Sequence, residues 1–282
     1  MTVQHAFTVD VEDWFHILDC PQSPRPHQYD SFPSRVEVNT GRVLDLLSNH
    51  SVHATFFVLG WVADHYPRLV RRIAAEGHEI GVHGYHHVLA STLSDRELED
   101  DTRRAVSAVA AAAGVAPVGY RSPGGSLLPR QRWIFDLLVE LGMAFDASVY
   151  PRPGGLAEAE RYPDRPYVIA RASDAALWEF PSTVRRWCGV RWAFAEGGYL
   201  RLLPLPLVRR WFRERAAAGL PVSCCIHPRE LDPDQPRLPL GPVKQWRTRV
   251  GLPGMEGKVR ELLAEVAFGP IGEVLAQYPP PM

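Results

Sequence analysis

Short apolar runs rich in β-branched and aromatic residues alternate, over the first 150 positions, with longer stretches whose apolar residues recur every three or four. That alternation predicts successive strands and helices of an α/β fold. Ala6 to Val11 reads as a strand ending in carboxylates, and Val36, Val43, Leu44 and Leu47 place a first helix over 36–47. The run from His53 to Leu59 fits a buried parallel strand. A helix from Pro67 to Ala75, closed by Gly77, leads to a third strand over Glu79 to His83. Ser94 with Glu97 three positions later forms a capping-box signature for a helix to about Ala113, ended by Gly114. A strand end at Val118 to Arg121, a helix over Pro129 to Leu141 and a strand over Ala144 to Val149 follow. Beyond lie a loop from Tyr150 to Val168, a short strand at Ala176 to Phe180 and a helix at Pro206 to Ala218. The last core strand is expected at Pro221 to Ile226, before a Pro-rich tail with one helix from about Met255 to Leu263.

No Gly/Ser tract, charge block or repeat divides the 282 residues. A single domain is expected, with a core over about 6–230 and a C-terminal extension over about 231–282. The formal net charge of -1 leaves no electrostatic footprint for nucleic acid or an anionic membrane. The four cysteines show no C-x-x-C spacing, and the adjacent Cys224 and Cys225 read as buried strand residues. With no charged-then-apolar leader and no apolar run able to span a bilayer, the reading is a cytoplasmic protein. Peripheral contact with a lipid-linked substrate stays open.

Two stretches carry candidate chemistry. His83 and His87 are four apart at a strand end, where Gly81 and Gly84 suggest a tight backbone turn. Asp10-Val11-Glu12-Asp13 closes the first strand. Two histidines and one carboxylate make a three-ligand site with an open position, the catalytic pattern for a divalent metal. Zinc is expected, and cobalt, nickel or iron would also suit the donor set. Strand alternation puts Asp10 and Glu12 on one face and favours Glu12 as the ligand; a turn beginning at Glu12 would bring Asp13 round instead.

Five motifs in order then carry a resemblance: Asp10-Val11-Glu12-Asp13, His83-x-x-x-His87, Gly119-Tyr120-Arg121-Ser122-Pro123, Phe145-Asp146-Ala147-Ser148 and Ile226-His227-Pro228. In these the chain resembles the polysaccharide deacetylases with a NodB-like catalytic domain. Asp10-Val11-Glu12-Asp13-Trp14-Phe15, the segment Gly197 to Pro204 and His227-Pro228-Arg229-Glu230-Leu231-Asp232 are similar to the branch found with bacterial exopolysaccharide loci, including those linked to exosortase systems. The usual family opening has two adjacent aspartates, and here Val11 separates Asp10 from Glu12. The resemblance implies a distorted (β/α) barrel with fewer than eight regular strands. It also implies a metal-dependent hydrolase removing N-acetyl groups from N-acetylhexosamine units of an exopolysaccharide or its lipid-linked precursor. Asp10 would be the base, Arg121 its ion-pair partner and His227 the acid, with Asp146 orienting His227 or lining the site. The alternatives are an amide hydrolase of the same fold acting on a ureide, a cyclic imide or a formamido sugar, and a carbohydrate-binding module without catalysis. Trp14, Trp178, Trp187, Trp192 and Tyr199 are candidate sugar platforms, most of them expected to be core. Glu230 and Asp232 are expected to brace the extension, and His86 to lie at the surface or behind the ligands.

Overall fold

The computed structural model describes residues 3–18, 20, 22–150, 163–172 and 175–278. Its centre is β1 (His5–Val11), every residue of which is buried. β1 pairs in parallel with β10 (Ser223–Ile226) on one side and, on the other, with β2 (Thr55–Val58) over Thr8–Val11 and with β11 (Phe268–Gly269) at His5–Ala6. From β2 the sheet continues in parallel through β3 (Glu79–Val82), β4 (Gly119–Tyr120), β5 (Phe145–Asp146) and β7 (Ala175–Glu179). β6 (Tyr167–Ala172) closes this edge antiparallel to β7. The result is a mixed α/β fold whose parallel sheet curls into a half-barrel rather than a closed ring.

Parallel neighbours need crossovers, and helices supply most of them. α1 (Val36–Asn49) crosses from β1 to β2; α2 (Gly60–His65) and α3 (Pro67–Ala75) cross from β2 to β3. α4 (Asp95–Ala113) opens on the anticipated box, with Ser94 accepting from the Glu97 N–H, and ends at Gly114 at φ 75°. α5 (Ile134–Glu140) crosses to β5. Because both faces of the sheet are covered, strands such as Thr55-Phe56-Phe57-Val58 are buried throughout instead of alternating.

The structure shortens some expected elements. The strand read over Ala144 to Val149 pairs only at Phe145–Asp146, because Asp146 turns back on the Ser148 N–H and Val149 donates to Glu179. The helix read from Pro129 begins as a 3-10 turn at Pro129–Gln131 and becomes α-helical at Ile134. Most of the loop read over Tyr150 to Val168 lies outside the described residues, and β6 begins within its end, at Tyr167. A ribbon of β8 (Arg185–Trp187) and β9 (Val190–Trp192) has no counterpart in the reading. It is mostly exposed on both faces and so shows no apolar alternation. It turns through Cys188 and Gly189, both at positive φ.

The second half adds α6 (Gly197–Leu202) and α7 (Leu205–Ala217) before β10. Where one helix was read in the tail there are three: α8 (Pro242–Arg249), α9 (Leu252–Glu265) and α10 (Ile271–Leu275). The extension is fused to the barrel, since β11 pairs β1 and the Ile271 N–H donates to the Thr55 hydroxyl.

Candidate active site and metal centre

The C-terminal ends of β1, β3, β4 and β10 meet around one cavity of about 550 Å³. Asp10, Glu12, His83, His87, Arg121 and His227 all line it. After β1 the Glu12 N–H turns back onto the Asp10 carbonyl at 2.9 Å, which leaves the Glu12 carboxylate beside the histidines. Glu12 Oε1 lies 2.8 Å from His87 Nε2, 3.4 Å from His83 Nε2 and 3.5 Å from His227 Nε2.

The histidine loop is held from several sides. His83 directly follows β3, and its Nδ1 donates to the Arg121 carbonyl at 2.8 Å, which turns Nε2 toward Glu12. Gly84 at φ 70° reverses the chain, and His87 itself sits at φ 55°, a conformation costly for a side-chain-bearing residue and concentrated at functional sites. Asp101 on α4 accepts the Tyr85 and His86 N–H groups at 2.8 and 3.4 Å, and the Tyr29 hydroxyl donates to the His86 carbonyl. His86 is half-buried and outside the cavity lining. Glu12, His83 and His87 each present a ligand atom within 4.8 Å of the others, all buried, and neither ring nitrogen of His87 has a hydrogen-bond partner. A buried donor set so poorly satisfied by protein alone fits a divalent cation, with Asp10 and His227 beside Glu12 in an overlapping group.

The structure separates Asp13 from this group. Its carboxylate accepts the Arg35 and Val36 N–H groups and the Ser34 hydroxyl, capping the N-terminus of α1. Burial raises its pKa, against the pull of those hydrogen bonds.

Arg121 comes from the end of β4 and lies under the opposite wall. Its Nη1 donates to Asp10 Oδ1 at 2.6 Å, to the Thr8 hydroxyl at 2.9 Å and to Cys225 Sγ at 3.2 Å, and its guanidinium stacks on Phe57. Burial alone would raise the Asp10 pKa; Arg121, then His83 and His227, outweigh it and hold the carboxyl below its ordinary range. His227 follows β10, with Nε2 3.9 Å from Asp10 Oδ2. Burial would lower its pKa, but Glu12 and Glu230 raise it to about 9.

Glu230, expected only to brace the extension, is the carboxylate behind His227. Its Oε2 accepts the His227 N–H at 3.1 Å and lies 3.4 Å from Nδ1, while Oε1 takes Arg201 Nε at 3.0 Å. Despite complete burial its pKa falls to about 2 under these partners. A Cβ on Gly197 would sit 2.0 Å from its Oε2, so the glycine is what admits it. Asp146, the residue expected to orient His227 or line the site, instead binds the Ser148 hydroxyl at 2.6 Å and shares a buried pocket with Glu179. Burial raises both carboxyl pKa values. Asp146 acts at one remove, since Ser148 lines the cavity and takes the Ser122 N–H. Asp232 does brace, pairing with Arg35 at 2.6 Å and accepting from Asn39.

Two more residues went unread. His16 lines the cavity with Nδ1 accepting the Asp13 N–H at 3.0 Å, so its proton is on Nε2. Arg229 reaches to 3.8 Å from Glu12 Oε2. The spacing His227-x-x-Glu230 was the one signal in the sequence that could have exposed the acid behind the histidine. Of the aromatic candidates, Tyr199 lines the cavity; Trp14 is buried with Nε1 on the Pro33 carbonyl, and Trp187 is exposed on β8.

Residues 27–144 match the family model for polysaccharide deacetylases, and residues 147–276 match a domain of unknown function, DUF3473. The chain is 39% identical over 95 residues to a peptidoglycan-N-acetylglucosamine deacetylase of Bacillus cereus, covering 33% of this chain and 34% of that protein. It is 37% identical over 112 residues to a chitooligosaccharide deacetylase of a Bradyrhizobium species, covering 39% and 48%. The chain thus spans about a third to a half of the length of these relatives. A Mycobacterium smegmatis structure provisionally assigned as a polysaccharide deacetylase superposes with a TM-score of 0.65 at 21% identity, over 100% of this chain and 93% of that one. Puue allantoinase superposes with a TM-score of 0.66 at 14% identity, over 99% and 92%. Residues 27–144 are thus similar in sequence to polysaccharide deacetylases, and the half-barrel matches the fold of the solved structures.

Proposed function

We propose that the protein is a metal-dependent N-deacetylase acting on N-acetylhexosamine units of a bacterial exopolysaccharide or its lipid-linked precursor. The observation that carries this reading is the placement of Asp10, paired with Arg121, and of His227, backed by Glu230, on either side of one donor group. Asp10 is kept ionised by Arg121, and His227 is kept protonated by Glu12 and Glu230. Amide hydrolysis needs both, because water must lose a proton and the departing amine must gain one. Asp10 Oδ2 and His227 Nε2 are 3.9 Å apart and both line the cavity, so an acyl carbon seated in front of the pair would present water to one and the amine nitrogen to the other.

A divalent cation on Glu12, His83 and His87, zinc by preference, would supply Lewis acidity toward the acyl oxygen. Asp10 would take the proton of the attacking water, with Arg121 fixing the carboxylate through Oδ1 so that Oδ2 faces the cavity. His227 would deliver its Nε2 proton to the amine, with Glu230 steadying the Nδ1 side. The catalysis-free module is disfavoured because binding alone needs no such pair. The similar curated proteins carry names of N-acetylglucosamine or chitooligosaccharide deacetylases, which favours a sugar over a ureide or cyclic imide.

The test is acetate release from neutral and lipid-linked N-acetylated sugars, with the metal varied and Asp10→Asn as control. Release that needs both metal and Asp10 is expected. Release unaffected by Asp10→Asn would overturn the acid–base assignment, and turnover of ureides alone would move the substrate class.

A further inference from the structure

A second chamber of about 300 Å³ adjoins the first. Six residues line both and so form the passage between them: Tyr199, His227, Arg229, Lys244, Arg247 and Thr248. Three are permanent cations, and none is a carboxylate. Among the described residues the acids lining the two chambers are committed, Asp10 to Arg121 and Glu196 to Ser182. Glu230, on the outer chamber, pairs with Arg201 and His227, and Glu12 sits in the metal group. Among the described residues the Arg247 guanidinium makes no ion pair or hydrogen bond.

α8, which carries Lys244 and Arg247, buries none of its residues, so no apolar packing accounts for where it sits. Polar ties from elsewhere hold it. Arg201 donates to the carbonyls of Arg247, Thr248 and Val250, and Arg249 donates to those of Pro233 and Gln235. Lys244 Nζ is steadied on the Leu18 carbonyl at 2.7 Å. The helix backbone and the Lys244 ammonium are therefore set in place before any ligand arrives, which reduces the ordering cost of binding. Trp246, 57% exposed, adds a flat apolar wall to the outer chamber.

We propose that this passage is a subsite for an anionic substituent, a phosphate or a carboxylate, carried on the substrate next to the N-acyl sugar in the inner cavity. The inference rests on the sugar-deacetylase reading and adds a charge requirement to it. Preset cations in a partly enclosed cleft favour an anion well beyond what exposed ones would. Lys244 and Arg247 bind the anion, and Arg229 bridges it to the metal group.

The experiment measures binding by calorimetry to the metal-loaded protein, independently of turnover. The probes are neutral N,N′-diacetylchitobiose, N-acetylglucosamine 1-phosphate, and a hyaluronan tetrasaccharide in which glucuronate alternates with N-acetylglucosamine. At least one anionic probe is expected to bind about tenfold more tightly than the neutral one, with that advantage shrinking as salt rises. Which anionic probe wins separates a phosphate source from a uronate source. Arg247→Gln should reduce the preference, and Lys244→Gln/Arg247→Gln should abolish it while circular dichroism stays unchanged. Should the double variant misfold, Arg247→Gln alone decides, its guanidinium making no ion pair or hydrogen bond among the described residues. No anionic preference in the wild type, or one that survives the replacements because the phosphate sits on the metal, overturns the proposal. Intact anion preference without acetate release from any sugar would leave the subsite standing and remove the deacetylase reading.

Discussion

Asp10 and Arg121 form a buried ion pair whose energetics can be worked from the geometry. Both are at most 8% exposed, and Nη1 meets Oδ1 at 2.6 Å. Arg121→Met keeps an apolar stem over Phe57 but strands the Asp10 carboxylate in a site built for a cation. Removing one member of such a pair costs about 3–5 kcal/mol. Asp10→Asn should cost less, because Arg121 keeps the Thr8 hydroxyl, the Ala147 carbonyl and the Cys225 sulfur. Combining the two removes both charges, so the double variant should lose less than the sum of the singles. Unit charges about 4 Å apart at an effective dielectric of 20 interact by about 4 kcal/mol, which bounds the coupling from above. We expect about 2–3 kcal/mol after relaxation. Urea unfolding of all four proteins at pH 7 with a chelator present, read from midpoints at constant slope, gives the cycle directly. Additivity within about 0.5 kcal/mol would refute the pairing as the force that keeps Asp10 ionised.

Three further outcomes follow from the same site. Glu12→Gln should lose bound metal by mass spectrometry, whereas Asp13→Asn should keep it and cost about 1 kcal/mol of stability through the α1 cap; the reverse pattern would make Asp13 the ligand. Glu230→Gln removes one of the two anions that hold His227 protonated, so the alkaline limb of kcat/KM should fall from about 9 toward 6.5; an unmoved limb would assign it to another group. Burial holds the Asp146 and Glu179 pKa values up in the folded state, so the wild type loses stability as pH rises above the ordinary carboxyl range. Glu179→Gln removes that loss, and its melting temperature relative to wild type should climb between pH 4 and pH 8; a difference flat with pH would refute the raised values.

The barrel was legible in the sequence where burial on both faces wrote long apolar runs, as at Thr55–Val58, and where caps were explicit, as at Ser94 and Gly114. It was illegible where polar ties, not apolar faces, fix an element. α8 buries no residue, β8 and β9 are mostly exposed, and neither leaves a periodic signature. The candidate donor group could be read because its histidines and acids fall at strand ends in fixed spacing. Strand alternation also favoured Glu12, beside His83 and His87 in the structure, over Asp13, whose carboxylate caps α1. The support of His227 was misread because Asp146 and Glu230 are both acids next to a strand end. Which one faces the imidazole depends on how the chain leaves β5 and β10, and a 3-10 turn at Pro228–Leu231 brings Glu230 round. His16 and Asp101 act through backbone N–H groups of distant segments, which no local pattern announces.

The place of β1 has a consequence for how the chain is made. The strand that carries Asp10 is synthesised before the other described strands, yet one of its edges pairs with Ser223–Ile226 and the start of the other with Phe268–Gly269. Until those residues leave the ribosome, a strand destined for full burial waits with an open row of backbone donors and acceptors, the kind of edge that recruits other chains. Loop closures spanning more than 200 residues also make its completion a late and slow event. A fragment stopping near residue 144 would keep β1 to β4 in sequence but leave that edge permanently bare. Such a truncation should be held by chaperones or aggregate during expression, while the full-length chain matures only after its last strand has docked.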